Sequence, residues 1–465
     1  MTYYLETPED VLRAIKDEKI QMVDLRFTDV SGAWQQILVP VIETLQNRLG
    51  FDGSSTHCFN GIQENEMLVT HAPAAAFLNP FSEISTLVVI CNIRDPIIGQ
   101  NYTHDPRYIA QKAEAYLKKT QIGDTVNFGL EFEHFVFNGL HNGQSSYYHS
   151  QEVVKDETNW SEAPHQGNIL CPKQGYFSAP PAKMLQHFCT MMVTTLERIG
   201  ITVEAERHEL ATGAQAKIKM RFATLTHTAD NLMIYNFVLE NVISQLGMTA
   251  SFMPNPLFSD GGFGLHVYQS IWQGGQPLFA GDGYAGSSAL MRHYIAGLLE
   301  HAPVLLAICA SRVSHYRRLM PEDSPVKLGH AQRDSSAGSR IPIYSPNPHA
   351  KRVDFHYIDT LCNPYLAFAA MLMAGIDGFH NRLYSIDPDE PIEKLYDLPP
   401  QDPTKILSAP SSLNEPLDPP ELDDDFLLQG DVFTPNVIEI LRLRPHRESL
   451  TAQKMVKPSF GRLYG

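Results

Sequence analysis

Glu131 and Glu133 stand two residues apart in Val126-Asn-Phe-Gly-Leu-Glu-Phe-Glu-His-Phe-Val-Phe137, a stretch with the two-residue alternation of a β-strand. Val126, Phe128, Leu130, Phe132 and Val136 fall on one face, and Asn127, Gly129, Glu131 and Glu133 on the other. Carboxylates about 7 Å apart on one face repel unless a cation lies between them or each has its own partner. The pair therefore fits a divalent metal or general acid/base work, with a solvated outer face as the bland alternative. Gly129 and Phe135 are poor company for a water-facing strand. His134 lies on the apolar side, where a hydrogen-bonded core histidine is expected.

Cations recur at matching spacing. In Ala216-Lys-Ile-Lys-Met-Arg-Phe222 the apolar residues share one face and Lys217, Lys219 and Arg221 the other. If this strand neighbours the two-carboxylate strand, the charges meet. Val203 to Leu210 alternates and ends near Glu209, and Arg352-Val-Asp-Phe-His356 places Arg352, Asp354 and His356 together. Asp260-Gly-Gly-Phe-Gly-Leu-His266 combines a polar-face histidine with glycines, Gly261 and Gly262 among them, that allow close backbone approach to a ligand. Arg318 and Arg340 lie in basic, flexible spans suited to phosphate or carboxylate. Phe51-Asp-Gly-Ser-Ser55 reads as a polar loop presenting Asp52 and Ser55.

The elements that must position these groups alternate between strands and helices. A short helix at 8–17 precedes strands at 21–28 and 35–40, and a buried strand covers 85–91. Asp105 and Pro106 form an N-cap and first helical position for a helix reaching Lys119. Further helices are expected at 182–199, 228–246, 290–309, 364–378 and 437–443, and a Pro- and Asp-rich exposed loop at 386–425. At 465 residues the chain exceeds the usual size of a single core. An N-terminal domain at 1–103 and a larger one at 104–465 are expected. A formal net charge of −16 disfavours nucleic acid and anionic membrane as partners. Six cysteines without a Cys-x-x-Cys pair argue against a disulfide framework or zinc cluster. With no secretion signal in the first residues, a cytoplasmic location is expected.

Assembled, the chain resembles class I glutamine synthetases along essentially its whole length. The resemblance rests on Val23-Asp-Leu-Arg-Phe-Thr-Asp29, Phe51-Asp-Gly-Ser-Ser55, Asp105-Pro-Arg107, Glu131-Phe-Glu133, Gly175-Tyr-Phe177, His208-Glu209, Phe252-Met-Pro254, Asn363-Pro-Tyr365 and Leu395-Tyr-Asp-Leu-Pro-Pro400. It implies an α+β fold: an N-terminal β-grasp domain, then a catalytic domain built on a curved antiparallel sheet flanked by helices. It also implies a homo-oligomeric ring, a dodecamer, in which the Asp52 to Ser55 loop completes a neighbour's active site. The implied chemistry joins glutamate to ammonia through phosphorylation by ATP, with Mg or Mn as the divalent metal.

Carried over position by position, the resemblance implies catalytic roles for Asp52, Glu209, Asp323 and Arg318. It implies substrate or nucleotide contacts for Ser55, Tyr176, Gly262, Arg318, Arg340, Arg352, His356 and Lys217. Metal ligands would be Glu131, His266 and Asp354 at one site, and Glu133 and Glu209 at a second. The pocket departs from the family at several positions. Lys217 replaces the third ligand of the second site, and Asp354 replaces a glutamate. Gly261 replaces an asparagine, while Ser335 and His356 replace arginines; Asp323 sits in a shortened flap. Three readings follow. One is an ATP-dependent ligase joining another small-molecule acid and amine. Another is a non-catalytic paralogue acting by assembly or sensing. The third is a single-metal enzyme using a transition metal at His266, Asp354, Glu131 and His356.

Overall fold

The computed structural model describes residues 8–41, 49–53, 66–144, 149–154, 176, 185–209, 211, 215–252, 256, 264–309, 327–332, 337–342, 345–383 and 423–442. After the helix Pro8–Asp17 come β1 (Met22–Thr28), β2 (Trp34–Pro40), β3 (Leu49–Asp52), β4 (Glu66–Leu78) and β5 (Thr86–Arg94). They form a five-stranded sheet in the order β2-β1-β5-β4-β3, with β1 parallel to β5. Phe51 and Asp52, expected in a loop, instead end β3. Asp52 stands opposite Glu66, and the Phe51 ring lies 4.5 Å from that of Phe27. Here aromatic packing on a half-buried sheet outweighs the turn tendency of Asp-Gly-Ser.

The helix Pro106–Thr120 starts as its sequence requires, with the Asp105 side chain accepting from the Arg107 backbone N–H. It leads into β6 (Thr125–Phe137), followed by a separate hairpin of β7 (Gly139–Gln144) and β8 (His149–Val154). Then come β9 (Val203–His208), β10 (Gln215–Met220), β11 (Ala223–Thr224), β12 (Thr249–Ser251), β13 (Leu265–Gln273) and β14 (Gln276–Pro277). The last strands are β15 (Lys327–Gln332), β16 (Ala337–Ile341) and β17 (Val353–Phe355). The main path of this large sheet runs β15-β16-β17-β13-β6-β10-β9. It is antiparallel, as expected, except for the parallel β15–β16 pair at its edge.

Helices cover the apolar face of β6. The Phe128 ring stacks on Phe368 of the helix Pro364–His380 at 5.1 Å, and Phe132 meets Tyr235 of the helix Leu225–Gln245 at 4.5 Å. His134 is fully buried with Nδ1 3.1 Å from the Tyr235 hydroxyl. Burial pushes its imidazole down to about 3, so it is the neutral core histidine the alternation implied. The helix expected at 290–309 is two, Ala289–Glu300 and Ala302–Cys309. At the break, His301 Nε2 lies 2.9 Å from Asp377 and its ring stacks on Phe426 at 4.0 Å.

Polar anchors tie the small sheet to the large one. Arg107 donates to both oxygens of Asp230 at 2.9 Å and to Asn92 of β5 at 2.7 Å, and the Tyr365 hydroxyl donates to Asp230 at 2.7 Å. Asn363 caps the helix Pro364–His380 and donates to the Asp29 carbonyl at 3.0 Å. Gly32, at φ +91, sits so close to the Asn363 backbone that a Cβ would meet its Cα at 3.1 Å. Among the described residues no helix is long and apolar enough to cross a membrane. The described cysteines Cys91, Cys189, Cys309 and Cys362 are buried and form no disulfide.

Candidate active site

Cross-strand register gathers the charged residues onto one face of the large sheet. On β6, Glu133 stands opposite Lys217, which itself stands opposite Arg207 of β9. Glu131 stands between Lys219 on one side and His266 on the other. One row further, Gly129 faces Tyr268, Tyr268 faces Asp354, and Asp354 faces Arg340. Gly129 leaves room for an aromatic ring, since a Cβ there would meet Phe222 at 2.6 Å. The Phe222 and Tyr268 rings in turn lie under the Arg352 guanidinium, at 5.4 and 4.7 Å.

Lys217 is the centre of the first cluster. Its buried ammonium lies 2.5 Å from Glu133, 3.5 Å from Glu131 and 3.6 Å from Glu209. Burial opposes its charge, but Glu133, Glu209 and Glu131 together raise it above the ordinary lysine range. Glu133 has both oxygens committed: one to Lys217, the other accepting from Gln215 and from the Gly264 backbone N–H, each at 3.2 Å. Arg207 donates to Glu209 at 2.8 Å and reaches Glu131 at 3.5 Å. Lys219, on the same face, turns to Glu204 at 2.9 Å and not to Glu131.

The second cluster is centred on Asp354. Its Oδ2 lies 2.7 Å from Arg340, 2.7 Å from His356 Nε2 and 3.4 Å from His266 Nδ1. The ligand atoms of His266, Asp354 and His356 all lie within 4.8 Å of one another, the only such group of metal-ligating side chains among the described residues. Glu131, expected to join His266 and Asp354, falls outside it because Lys217 and Arg207 hold its carboxylate. Burial lowers His356 below the ordinary histidine range, which keeps the imidazole neutral. Across both clusters four carboxylates meet Lys217, Arg207 and Arg340, so the described pocket is within about one charge of neutrality.

Asp52 is exposed at the end of β3, and Tyr176 is exposed and close enough to act on the Arg207 charge. Ser55, Gly261, Gly262, Arg318, Asp323 and Ser335 lie outside the described residues. Sequence reasoning missed Arg207, although Arg207 on β9 and Glu209 just past its end have the same parity and so share a face.

A pH dependence follows from Glu133. Burial would raise its carboxyl, but Lys217 and His266 outweigh burial and hold it down to about 2, against 4.5 in a model compound. The unfolded chain therefore binds more protons between these values, and stability rises with pH across the window. The contribution is complete above about pH 4.5 and fades toward pH 2, amounting to about 3 kcal/mol at most. Thermal melting between pH 5 and 3 should fall more steeply in the parent than in Glu133→Gln; equal slopes would refute the assignment.

Comparison with known proteins follows the same pattern. Residues 19–96 match the glutamine synthetase β-grasp domain and residues 103–459 the glutamine synthetase catalytic domain. The chain is 44% identical over 467 residues to a glutamine synthetase of Frankia alni, covering 95% of this chain and 98% of that one. It is 44% identical over 441 residues to a glutamine synthetase of Aquifex aeolicus (strain VF5), covering 93% of each. The fold matches the glutamine synthetase of Plasmodium falciparum with a TM-score of 0.88 over 98% of both chains, at 23% identity. Two domain matches that together span most of the chain, and relatives this similar over almost their whole length, place it plainly: the chain belongs to the glutamine synthetase family.

Proposed function

We propose that this chain is an ATP-dependent ligase that joins a carboxylate, glutamate or an analogue, to an amine, and that ammonia-dependent glutamine formation is slow. The observation that carries the second part is the Lys217 ammonium set among Glu131, Glu133 and Glu209. An ammonium can neutralise carboxylates but has no open coordination position with which to polarise a phosphoryl oxygen. An orphaned polar atom supports a cation elsewhere: the buried Asp354 Oδ1 has no hydrogen-bond partner among the described residues. His266 and Asp354 would hold a divalent metal, and Glu131, opposite His266 on β6, would join them only on leaving Lys217 and Arg207. Bound there, a divalent metal offsets the charge of the triphosphate and the acid substrate.

The chain's own residues supply the rest. Arg340 orients Asp354, and Arg352 is held over two aromatic rings where it can meet an anionic substrate. In this reading Arg318 and Asp323 act from the flap, Gly262 and Tyr176 border the acid substrate, and Asp52 and Ser55 serve a neighbouring subunit within a ring. His356, in place of an arginine, gives the acid substrate one fixed positive charge fewer. That loss is the basis for expecting an acid or amine different from glutamate and ammonia.

One observation favours a second reading, ordinary glutamine synthesis: the 44% identity to relatives named glutamine synthetase. An ADP-release assay with glutamate, comparing ammonia against a panel of primary amines and alternative acids, separates the two. The proposed function expects another amine or acid to outpace ammonia with glutamate. Fastest turnover with ammonia and glutamate would support ordinary synthesis, and no ADP release with any pair would refute the ligase.

A further inference from the structure

We propose that His266, Asp354 and His356 form a site for one first-row transition metal ion, selective against Mg2+. It rests on the proposed function only in placing a cation beside His266 and Asp354; the ligase reaction plays no part in it. Register and alternation bring the three together, His266 from the start of β13 and Asp354 and His356 from one side of β17 and its continuation. Metal bonds of about 2.1 Å place neighbouring ligand atoms about 3.0–3.4 Å apart in octahedral or tetrahedral geometry. The observed separations from Asp354 Oδ2, 2.7 Å to His356 Nε2 and 3.4 Å to His266 Nδ1, bracket that range.

The hydrogen bonding points the same way. His356 is 5% exposed and its Nε2 approaches Asp354 Oδ2 at 2.7 Å, while the fully buried Asp354 Oδ1 has no hydrogen-bond partner among the described residues. The Oδ1 lone pairs are open to a cation. Outer contacts orient the ligands as metal sites require. Arg340 holds Asp354 Oδ2 at 2.7 Å, and His266 Nε2 faces Glu133 at 3.7 Å, which leaves Nδ1 as the donor.

Selectivity follows from the donor set. Mg2+ demands near-octahedral oxygen ligation, and this group offers one carboxylate. Glu133 has both oxygens committed and Glu131 is held by Lys217 and Arg207, so neither supplies the missing oxygens freely. Two imidazoles with one carboxylate instead suit zinc, iron, cobalt or nickel. His356 is the residue that decides this, because it adds the second imidazole.

Chelator-treated protein should be titrated calorimetrically with Zn2+ and separately with Mg2+, and its visible spectrum recorded with Co2+. One Zn2+ should bind per chain at least about 100-fold more tightly than Mg2+. Since losing an outer-shell partner already costs 10–100-fold, His356→Ala and His356→Gln should each weaken Zn2+ binding by at least about 100-fold and abolish the Co2+ absorption band. Equal affinity for Zn2+ and Mg2+ in the parent would overturn the proposal, as would variants that melt like the parent in chelator and bind Zn2+ unchanged. If either variant fails to fold, the other variant and the parent Zn2+ to Mg2+ ratio still decide it. Each of these outcomes reads binding alone, so the ligase assay can fail or succeed separately.

Discussion

Lys217→Met is expected to destabilise the chain by about 3–5 kcal/mol in chelator, the usual cost of removing one partner from a buried charge cluster. The methionine fills nearly the same volume, so the loss comes from charge and not from a cavity. Glu131, Glu133 and Glu209 would be left facing one another, with Arg207 close to Glu209 and, more distantly, to Glu131. Adding Mn2+ should narrow the stability gap between variant and parent, because three converging carboxylates form an oxygen-rich cation site once the ammonium is gone. Thermal melting of both proteins in chelator and in Mn2+ checks this. A gap that does not change with Mn2+ would show that the cluster cannot accept a cation even when Lys217 is absent.

The second large effect concerns Lys217→Glu. If Lys217 alone accounted for the slow glutamine formation proposed above, restoring an acidic residue would recover it. It should not. His356 and Ser335 stand where the family resemblance implies arginines, and removing a single preorganised donor to developing charge already costs about 100–1,000-fold in rate. Lys217→Glu alone should therefore remain at least about 100-fold below the triple variant Lys217→Glu, Ser335→Arg, His356→Arg in ammonia-dependent glutamine formation. Equal rates for the single and triple variants would mean that the two arginine positions are immaterial. Any gain in the single variant also has to overcome Arg207, which at 2.8 Å from Glu209 competes with a cation for that carboxylate.

Much of this pocket was legible in the alternation of its strands. The faces read for 126–137 and 216–222 are those of β6 and β10, and the expected meeting of carboxylates and cations is the register Glu133 opposite Lys217. Local pattern could not give the order of the strands, so it could not tell which cation each carboxylate would meet. Lys219 went to Glu204 for that reason, and Glu131 went to Lys217 and Arg207 and not to the group around Asp354. Strand β4 was missed because its Pro73 and alanine run carry no period-two signal. The break at His301 had a local sign, Pro303 in the first turn of a new helix, but the long apolar run through Leu290–Cys309 concealed it. Asp52 shows the reverse error, where turn-forming residues were read as a loop while Phe51 packed on Phe27 and held the strand.

The Lys217 ammonium sits among Glu131, Glu133 and Glu209, where the family resemblance implies a second cation. The number of Mn2+ ions bound per chain without nucleotide, obtained from the free-Mn2+ paramagnetic resonance signal for the parent and for Lys217→Ala, tests whether that ammonium excludes a cation. One ion is expected in the parent, lost on replacing His266 by Ala, and two in Lys217→Ala. Two or more ions in the parent, with no further ion gained by Lys217→Ala, would contradict it.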